Sequence, residues 1–320
     1  MHVDAFSVPV ETRAPDGSTN AYVVGSSDCL LVDPAARTST LDTVVAARDV
    51  TAIAVTHTHP DHVGAVAEYA AETGAALLAH RPDRFAAATG VEPDRQISEG
   101  TVIQTGVGPV TVLETPGHAV DHVAFELPDR GDANRTGASD GGDADRTGAS
   151  DGGDANRTGA SDGGDADRTG ASDGKENLGG TVICGDLAVA EGSVVVGAPE
   201  GDLRAYLTSL RRLWARNPRR LYPGHGPAIG QGVEAVGEPR AVLKRLLTHR
   251  LDREAMVLAA VRAGATTVDA VVDAAYEKDL SGVRDLALAT VRAHLEKLAV
   301  EGTVRFDPET GAVSLAYPRS

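Results

Sequence analysis

Short apolar runs broken by polar residues fill the N-terminal two-thirds of the chain. "TNAYVVG", "CLLVD", "TAIAVT", "GAALLAH", "VTVLET", "HVAFEL" and "GTVICGD" are brief and largely apolar, with many β-branched residues, so each predicts a strand. "TSTLDTVVAAR", "HVGAVAEYAAETG" and "GDLRAYLTSLRRLWAR" have helical spacing, and the first and third begin with side chains suited to capping. Strands in runs with helices between them predict layered sheets covered by helices. From about Glu234 the pattern turns mostly helical. "REAMVLAAVRAG", "TVDAVVDAAYEK" and "VRDLALATVRAHLEKLAVEG" predict three successive helices, and "TVRFDPETGAVSLAY" a hairpin around "PETG". Three helices and a hairpin make the outline of a winged helix. In the third helix Leu288, Val291, Leu295 and Leu298 form an apolar seam.

Between "HVAFELP" and "GTVICGD" lies a segment of another kind. From Gly131 to about Gly174 a unit close to "DGGDADRTGAS" recurs every 11 residues. It has no apolar seam for a coiled coil and no aliphatic residue for a β-helix turn. Nothing in it offsets the entropy of ordering, so it predicts disorder. A long insertion in a loop costs little, because closure entropy grows only with the logarithm of length. The flanks are therefore read as one domain, 1–232, interrupted at 131–174, followed by a helical linker and winged-helix-like domain over 233–320.

The chain has 320 residues, 42% hydrophobic but only 3% aromatic, so its core rests on Ala, Val and Leu. The formal charge of -16 with a pI near 5.0 suits a high-salt, halophilic setting. Two cysteines, Cys29 and Cys184, argue against a disulfide framework. The N-terminus lacks a basic start followed by an apolar run, and no stretch reaches the length of a membrane span. The expectation is a cytoplasmic protein with no membrane partner.

"VTHTHPDHVGA" follows a predicted strand and puts His57, His59, Asp61 and His62 within six residues. Packing gives no reason to gather imidazoles and carboxylates so densely, whereas a turn lets them converge on one point. His118 in "ETPGHAVDH", Asp186 in "ICGDLA" and His225 in "LYPGHGP" also stand at predicted strand ends beside Gly. Five His and two Asp so placed make a candidate two-metal site.

In this order, "THTHPDH", "TPGH", "GD" and "PGHG" resemble the metallo-β-lactamase superfamily over about Thr19 to Pro227. The resemblance implies an αββα sandwich with metals at one edge. His57, His59 and His118 would hold a first zinc, Asp61, His62 and His225 a second, and Asp186 would bridge them. Manganese or iron are alternatives to zinc. It also implies a metal-activated hydroxide attacking a carbonyl or phosphorus, with Asp61 accepting a hydrogen bond from it. The retained Asp186 and His62 resemble the glyoxalase II and nuclease branches more than class B β-lactamases, which have a Cys near the place of the bridging Asp. Cys184 is read as packing.

Two features bear on substrate. Between Arg204 and Arg253 there are eleven Lys and Arg and three acids, a local excess that suggests an anion-binding patch around His225. The tail resembles that of the β-lactamase-like protein 2 family, which implies single-stranded RNA as a substrate. Residues 254–300 hold five basic and seven acidic residues, poor for phosphate contacts, so the tail is read as a packing or homodimerisation element. His249 and Arg250 are expected to face the substrate path. The leading expectation is a zinc-dependent hydrolase using a metal-bound hydroxide, with single-stranded RNA, cut as by an endoribonuclease, as its candidate substrate. A glyoxalase II-like thioesterase acting on an acyl thioester is the alternative, and a non-catalytic nucleic-acid-binding regulator a third.

Overall fold

The computed structural model describes residues 3–127, 179–232, 234–277 and 279–316. The repeat, and with it the expectation of disorder, lies outside the described residues.

Two six-stranded sheets form the body. The first runs in the order β1 (Val3–Pro9), β2 (Ser18–Val24), β3 (Cys29–Val32), β4 (Val50–Ala54), β5 (Ala76–Ala79), β6 (Arg95–Gln96). The second runs β12 (Ile229–Gly230), β11 (Pro218–Pro223), β10 (Gly179–Gly185), β9 (Val123–Leu127), β8 (Gly108–Glu114), β7 (Val102–Thr105). β3, β4, β5 and β6 run parallel, as do β10 and β11, while the other neighbours are antiparallel.

Both faces of each sheet are covered, which explains runs more apolar than strict alternation. Tyr22, Val24, Leu30, Val32, Ala52 and Ala54 pack with Val112, Phe125, Ile183 and Tyr222 between the sheets. The intervening Ala21, Val23, Cys29, Leu31 and Ile53 point the other way, as the period of two requires. They meet helices α1 (Ser39–Ala47), α3 (Val66–Thr73) and α4 (Pro82–Thr89). On the outer face of the second sheet, Val182 and Cys184 meet α5 (Leu203–Arg216) and α6 (Pro239–Arg262). The layers are thus helix, sheet, sheet, helix. Cys184 packs in this outer layer as a buried free thiol, pushed above its ordinary pKa by burial.

The single helix expected over "HVGAVAEYAAETG" is two, α2 (Pro60–Val63) and α3. At Gly64, between them, a Cβ would stand 2.4 Å from the Ala35 carbonyl oxygen, so the chain turns where only glycine fits. The first tail helix, α6, starts at Pro239, well before the expected run. α7 (Val268–Ala275), α8 (Arg284–Val300) and the hairpin β13 (Val304–Phe306) and β14 (Val313–Leu315) follow. Val291, Leu295 and Leu298 join the core of this tail, with Leu288 partly buried against it. Among the described residues no helix is long and apolar enough to cross a membrane.

β9 and β10, the strands on either side of the repeat, pair antiparallel from Leu127↔Thr181 to Phe125↔Ile183. Their junctions with residues 128–178 therefore lie at the ends opposite His122 and Asp186.

Candidate metal centre

The C-terminal ends of β4, β8, β10 and β11 deliver the candidate ligands to one edge of the sandwich. His57 and His59 follow β4, Asp61 and His62 lie in the short helix α2, and His118, Asp186 and His225 follow β8, β10 and β11. Three groups of these residues have ligand atoms within 4.8 Å of one another: His57, His59 and His118; His57, His62 and Asp186; Asp61, His62 and His225. His118 Nε2 and His225 Nε2 each stand 3.4 Å from Asp186 Oδ2, which places that carboxylate between the outer groups.

The surroundings of each imidazole fix its tautomer. His118 Nδ1 donates to the Val195 carbonyl and His225 Nδ1 to the Ser18 carbonyl, both at 2.7 Å. His62 Nδ1 donates to Asp33 Oδ2 at 3.0 Å. Thr56 Oγ1 donates to the same oxygen at 2.7 Å, so its lone pair accepts from His57 Nδ1 at 3.0 Å. His59 is turned round, its Nε2 facing Glu200 Oε2 at 3.1 Å. Every ring thus presents a lone pair inward. His57 Nε2 and His59 Nδ1 meet at 2.9 Å, and His118 Nε2 and His59 Nδ1 at 3.0 Å, without a proton between them. His62 Nε2 and Asp186 Oδ1 are buried and have no hydrogen-bond partner among the described residues. Converging lone pairs and orphaned buried acceptors fit divalent cations and little else.

The electrostatics agree. Burial, then the neighbouring imidazoles, hold His57 well below its ordinary pKa, and burial lowers His118, so both stay neutral as ligands must. Burial would raise Asp186, but the surrounding His225, His118 and His62 hold its carboxyl well below the ordinary carboxylate range. At His62, Asp33 overcomes burial and raises the ring's basicity.

Two glycines let this edge close. At Gly224 a Cβ would stand 2.3 Å from Asp186 Oδ1, and at Gly185, where φ is +46°, 2.7 Å from the Thr56 side chain. The "PGHG" turn is held by Asn20, whose Nδ2 donates to the carbonyls of Pro223 (3.0 Å) and Gly226 (2.8 Å).

Several supporting residues were not singled out in the sequence. Asp33 accepts from Thr56 N (2.6 Å), Thr56 Oγ1 and His62. Asp121 accepts from Thr58 N and Oγ1 at 3.1 and 2.6 Å. His122 accepts from Asp186 N at 3.0 Å through Nε2, and so donates through Nδ1 to Thr115 Oγ1 at 2.8 Å. Glu200 also meets Arg84, at 3.1 Å. His122 and Asp121 could have been suspected from their place in "GHAVDH", close behind a ligand. Asp33 ends a strand as an ordinary turn residue does.

The two residues expected on the substrate path fare differently from the ligands. Arg250 is a correction: it is buried, 3% exposed, with its guanidinium on the Val194 carbonyl and 5.5 Å from the centre of the Tyr206 ring. One arm of its fork is taken by that carbonyl. His249 is exposed, with Nε2 at 3.5 Å from Ser193 Oγ.

Residues 14–133 match the family model described as the metallo-beta-lactamase superfamily. The chain is 25% identical over 300 residues to a beta-lactamase-like protein 2 homolog of Caenorhabditis elegans, covering 89% of this chain and 80% of that one. It is 27% identical over 312 residues to an atrochrysone carboxyl ACP thioesterase of Aspergillus chevalieri, covering 92% and 79%. A metallo-beta-lactamase family protein of Thermus thermophilus superposes with a TM-score of 0.65 at 21% identity over 98% of both chains, which shows a shared fold. Over residues 14–133, then, the chain carries a metallo-beta-lactamase superfamily domain, and the layered sandwich and the edge that gathers the candidate ligands agree with it.

Proposed function

We propose that the protein is a metal-dependent hydrolase of acyl thioesters. The observation that carries this reading is the use made of the basic run. Arg212 bonds Glu99 (2.8 Å), Arg216 bonds Glu126 (2.8 Å), and Arg253 bonds the Ala275 carbonyl (2.7 Å). Arg245 and Arg250 bond backbone carbonyls, and Arg240 lies over Trp214. A polyanion needs an array of free cations, and these guanidinium groups are committed elsewhere. A compact acyl substrate needs a cleft instead. One of about 570 Å³ lies beside the centre, lined in part by Gly117, next to ligand His118, by Glu200, which orients His59, and by the apolar Leu203, Ala293 and Val300.

Divalent ions at such a centre supply Lewis acidity and bring the pKa of water near neutrality. The chain's own residues would orient the reaction. Asp61, whose Oδ2 accepts from Thr12 Oγ1 at 2.5 Å, has a second oxygen to accept a proton from attacking water. His122 has both ring nitrogens engaged and is in no position to protonate a leaving group. A thiolate, from a thiol of pKa about 8.5, leaves without such help more readily than an alkoxide. The 27% identity to a thioesterase over nearly the whole chain supports the same substrate class.

The test is a side-by-side assay of the purified protein on a hydroxyacyl-glutathione thioester, an acyl-carrier-protein thioester and an unstructured RNA, each with and without chelator. Chelator-sensitive thiol release from a thioester is the expected result. RNA cleavage with no thiol release would overturn the proposal in favour of the nuclease.

A further inference from the structure

The segment that leaves the metal centre after Asp186 has no strand or helix of its own until α5. Irregular backbone must find donors for its carbonyls elsewhere. Here helices supply them. Tyr206 of α5 donates its hydroxyl to the Leu187 carbonyl at 2.9 Å. Arg245 of α6 reaches three carbonyls, Gly192 at 2.6 Å, Ala190 at 3.0 Å and Val189 at 3.1 Å. One turn further along α6, Arg250 takes the Val194 carbonyl. The next carbonyl, Val195, accepts the Nδ1 proton of His118.

We infer that α6 sets the geometry of the metal centre by clamping the loop from Asp186 to Val195, with Arg250 as a positioning residue for His118. The loop begins at one ligand and ends at the carbonyl that aims another. Arginine suits both positions. The planar fork of Arg245 grips three carbonyls and that of Arg250 holds one at a fixed angle, where lysine offers a single rotatable point of charge. Burial of Arg250 makes the arrangement rigid, since a desolvated guanidinium cannot leave its partner cheaply. The carbonyl partner in turn keeps His118 in the tautomer that turns Nε2 inward. Two of the basic residues of α6, Arg245 and Arg250, are thereby explained without a substrate anion.

The experiment reads metal binding, so it stands or falls independently of the thioesterase reading. Zinc affinity is measured by competition with a chromophoric chelator, and the electronic spectrum of the cobalt-substituted protein is recorded, for Arg250→Met, Arg250→Lys, Arg245→Gln and Arg253→Gln. Loss of an outer partner of a metal ligand weakens binding by roughly 10–100-fold. Arg250→Met should weaken one of the two ions by about tenfold and shift the cobalt bands. Arg250→Lys should recover part of both. Arg245 is exposed, so Arg245→Gln should fold and move both readouts in the same direction by less, which keeps the test decisive if Arg250→Met does not fold. Arg253 lies on the same helix but bonds Ala275 and stacks on Tyr276. Its variant should lower thermal stability while leaving metal affinity and spectrum at the parent's values. Parental affinity and spectrum in Arg245→Gln and in any folded Arg250→Met would overturn the inference. So would an equal loss in Arg253→Gln, which would make the effect one of general stability.

Discussion

Gly224→Ala isolates what the closing of the metal edge is worth. The added Cβ would stand 2.3 Å from Asp186 Oδ1 and 2.8 Å from His62 Cε1. Ordinary contact is about 3.3–3.6 Å to an oxygen and about 3.5–4.0 Å to a carbon, so something must move by roughly 1 Å. The backbone has little freedom to retreat: Gly224 N donates to the Gly185 carbonyl at 2.9 Å, and the Gly224 carbonyl accepts from Asn20 N at 2.7 Å. Asp186 must therefore yield. Metal–ligand distances tolerate only about 0.2 Å, so the displacement removes it as a ligand. Affinity for the pair of ions should fall roughly 100-fold, about 2.7 kcal/mol. No left-handed φ is required at this position, so the effect is steric. Gly74→Ala supplies the contrasting control, with φ at +68° and open space around its Cβ. It should lose about 1–2 kcal/mol of stability with metal affinity untouched. The assay is a chelator-competition titration of each variant, with denaturant melts of the metal-free proteins. A Gly224→Ala protein that binds both ions as tightly as the parent would refute the reasoning.

Thr56→Val removes the hydroxyl that joins Asp33 to His57. It should weaken metal binding about tenfold and cost the metal-free protein about 1–3 kcal/mol, read by the same titration and melts. Glu254 bonds Lys297 at 2.8 Å, and although burial opposes it, His294 and Lys297 hold its carboxyl below the ordinary value. That stabilisation is complete above the unfolded pKa of about 4.3 and is lost as pH falls through the lower folded value. The deficit of Glu254→Gln in denaturant melts should therefore be widest at neutral pH and shrink on acidification; a gap that grows in acid counts against the pairing. Replacing 131–174 with a short glycine-containing turn should leave bound metal unchanged by elemental analysis, because the β9–β10 ladder joins the replaced stretch at the ends away from Asp186.

How much of the fold could be read in advance followed from where each element's apolar residues point. The strands with two covered faces, such as Cys29–Val32 and Gly179–Gly185, are apolar along their length and stand out. β1 does not: it is an edge strand with one fully buried residue, Val8, and a terminal proline. β11 hides behind "PRRLYP", where two arginines break the apolar run and Arg220 lies over the ring of Tyr222 in the same strand. α4 buries little beyond Phe85, too narrow a stripe to announce a helix. The candidate ligands stood out because histidines are rare and stand densely at strand ends. The residues that aim them were not: Asp33 and Glu200 reach the site only through folding, and Thr56, though next to His57, gives no sign in sequence of its bond to Asp33.

The basic run from Arg204 to Arg253 shows the same limit of a local reading. A count of charges along the chain carries no direction. The partners of these arginines, Glu99, Glu126 and the loop after Asp186, come from other elements and are invisible to any local window. Once those partners are known, the anion patch shrinks and the salt response of catalysis becomes informative. A substrate gripped by many phosphate contacts loses about 10³-fold or more in affinity between roughly 50 and 200 mM salt. A thioester seated in a cleft of mixed charge, whose lining includes Glu200 and Glu296 as well as Arg204 and Lys297, has no such array to screen. The ratio kcat/KM for thioester hydrolysis should then change by less than about threefold over that range. A steep decline, parallel to the slope expected of phosphate contacts, would mean that free cations govern substrate capture after all and would return the polyanion to first place.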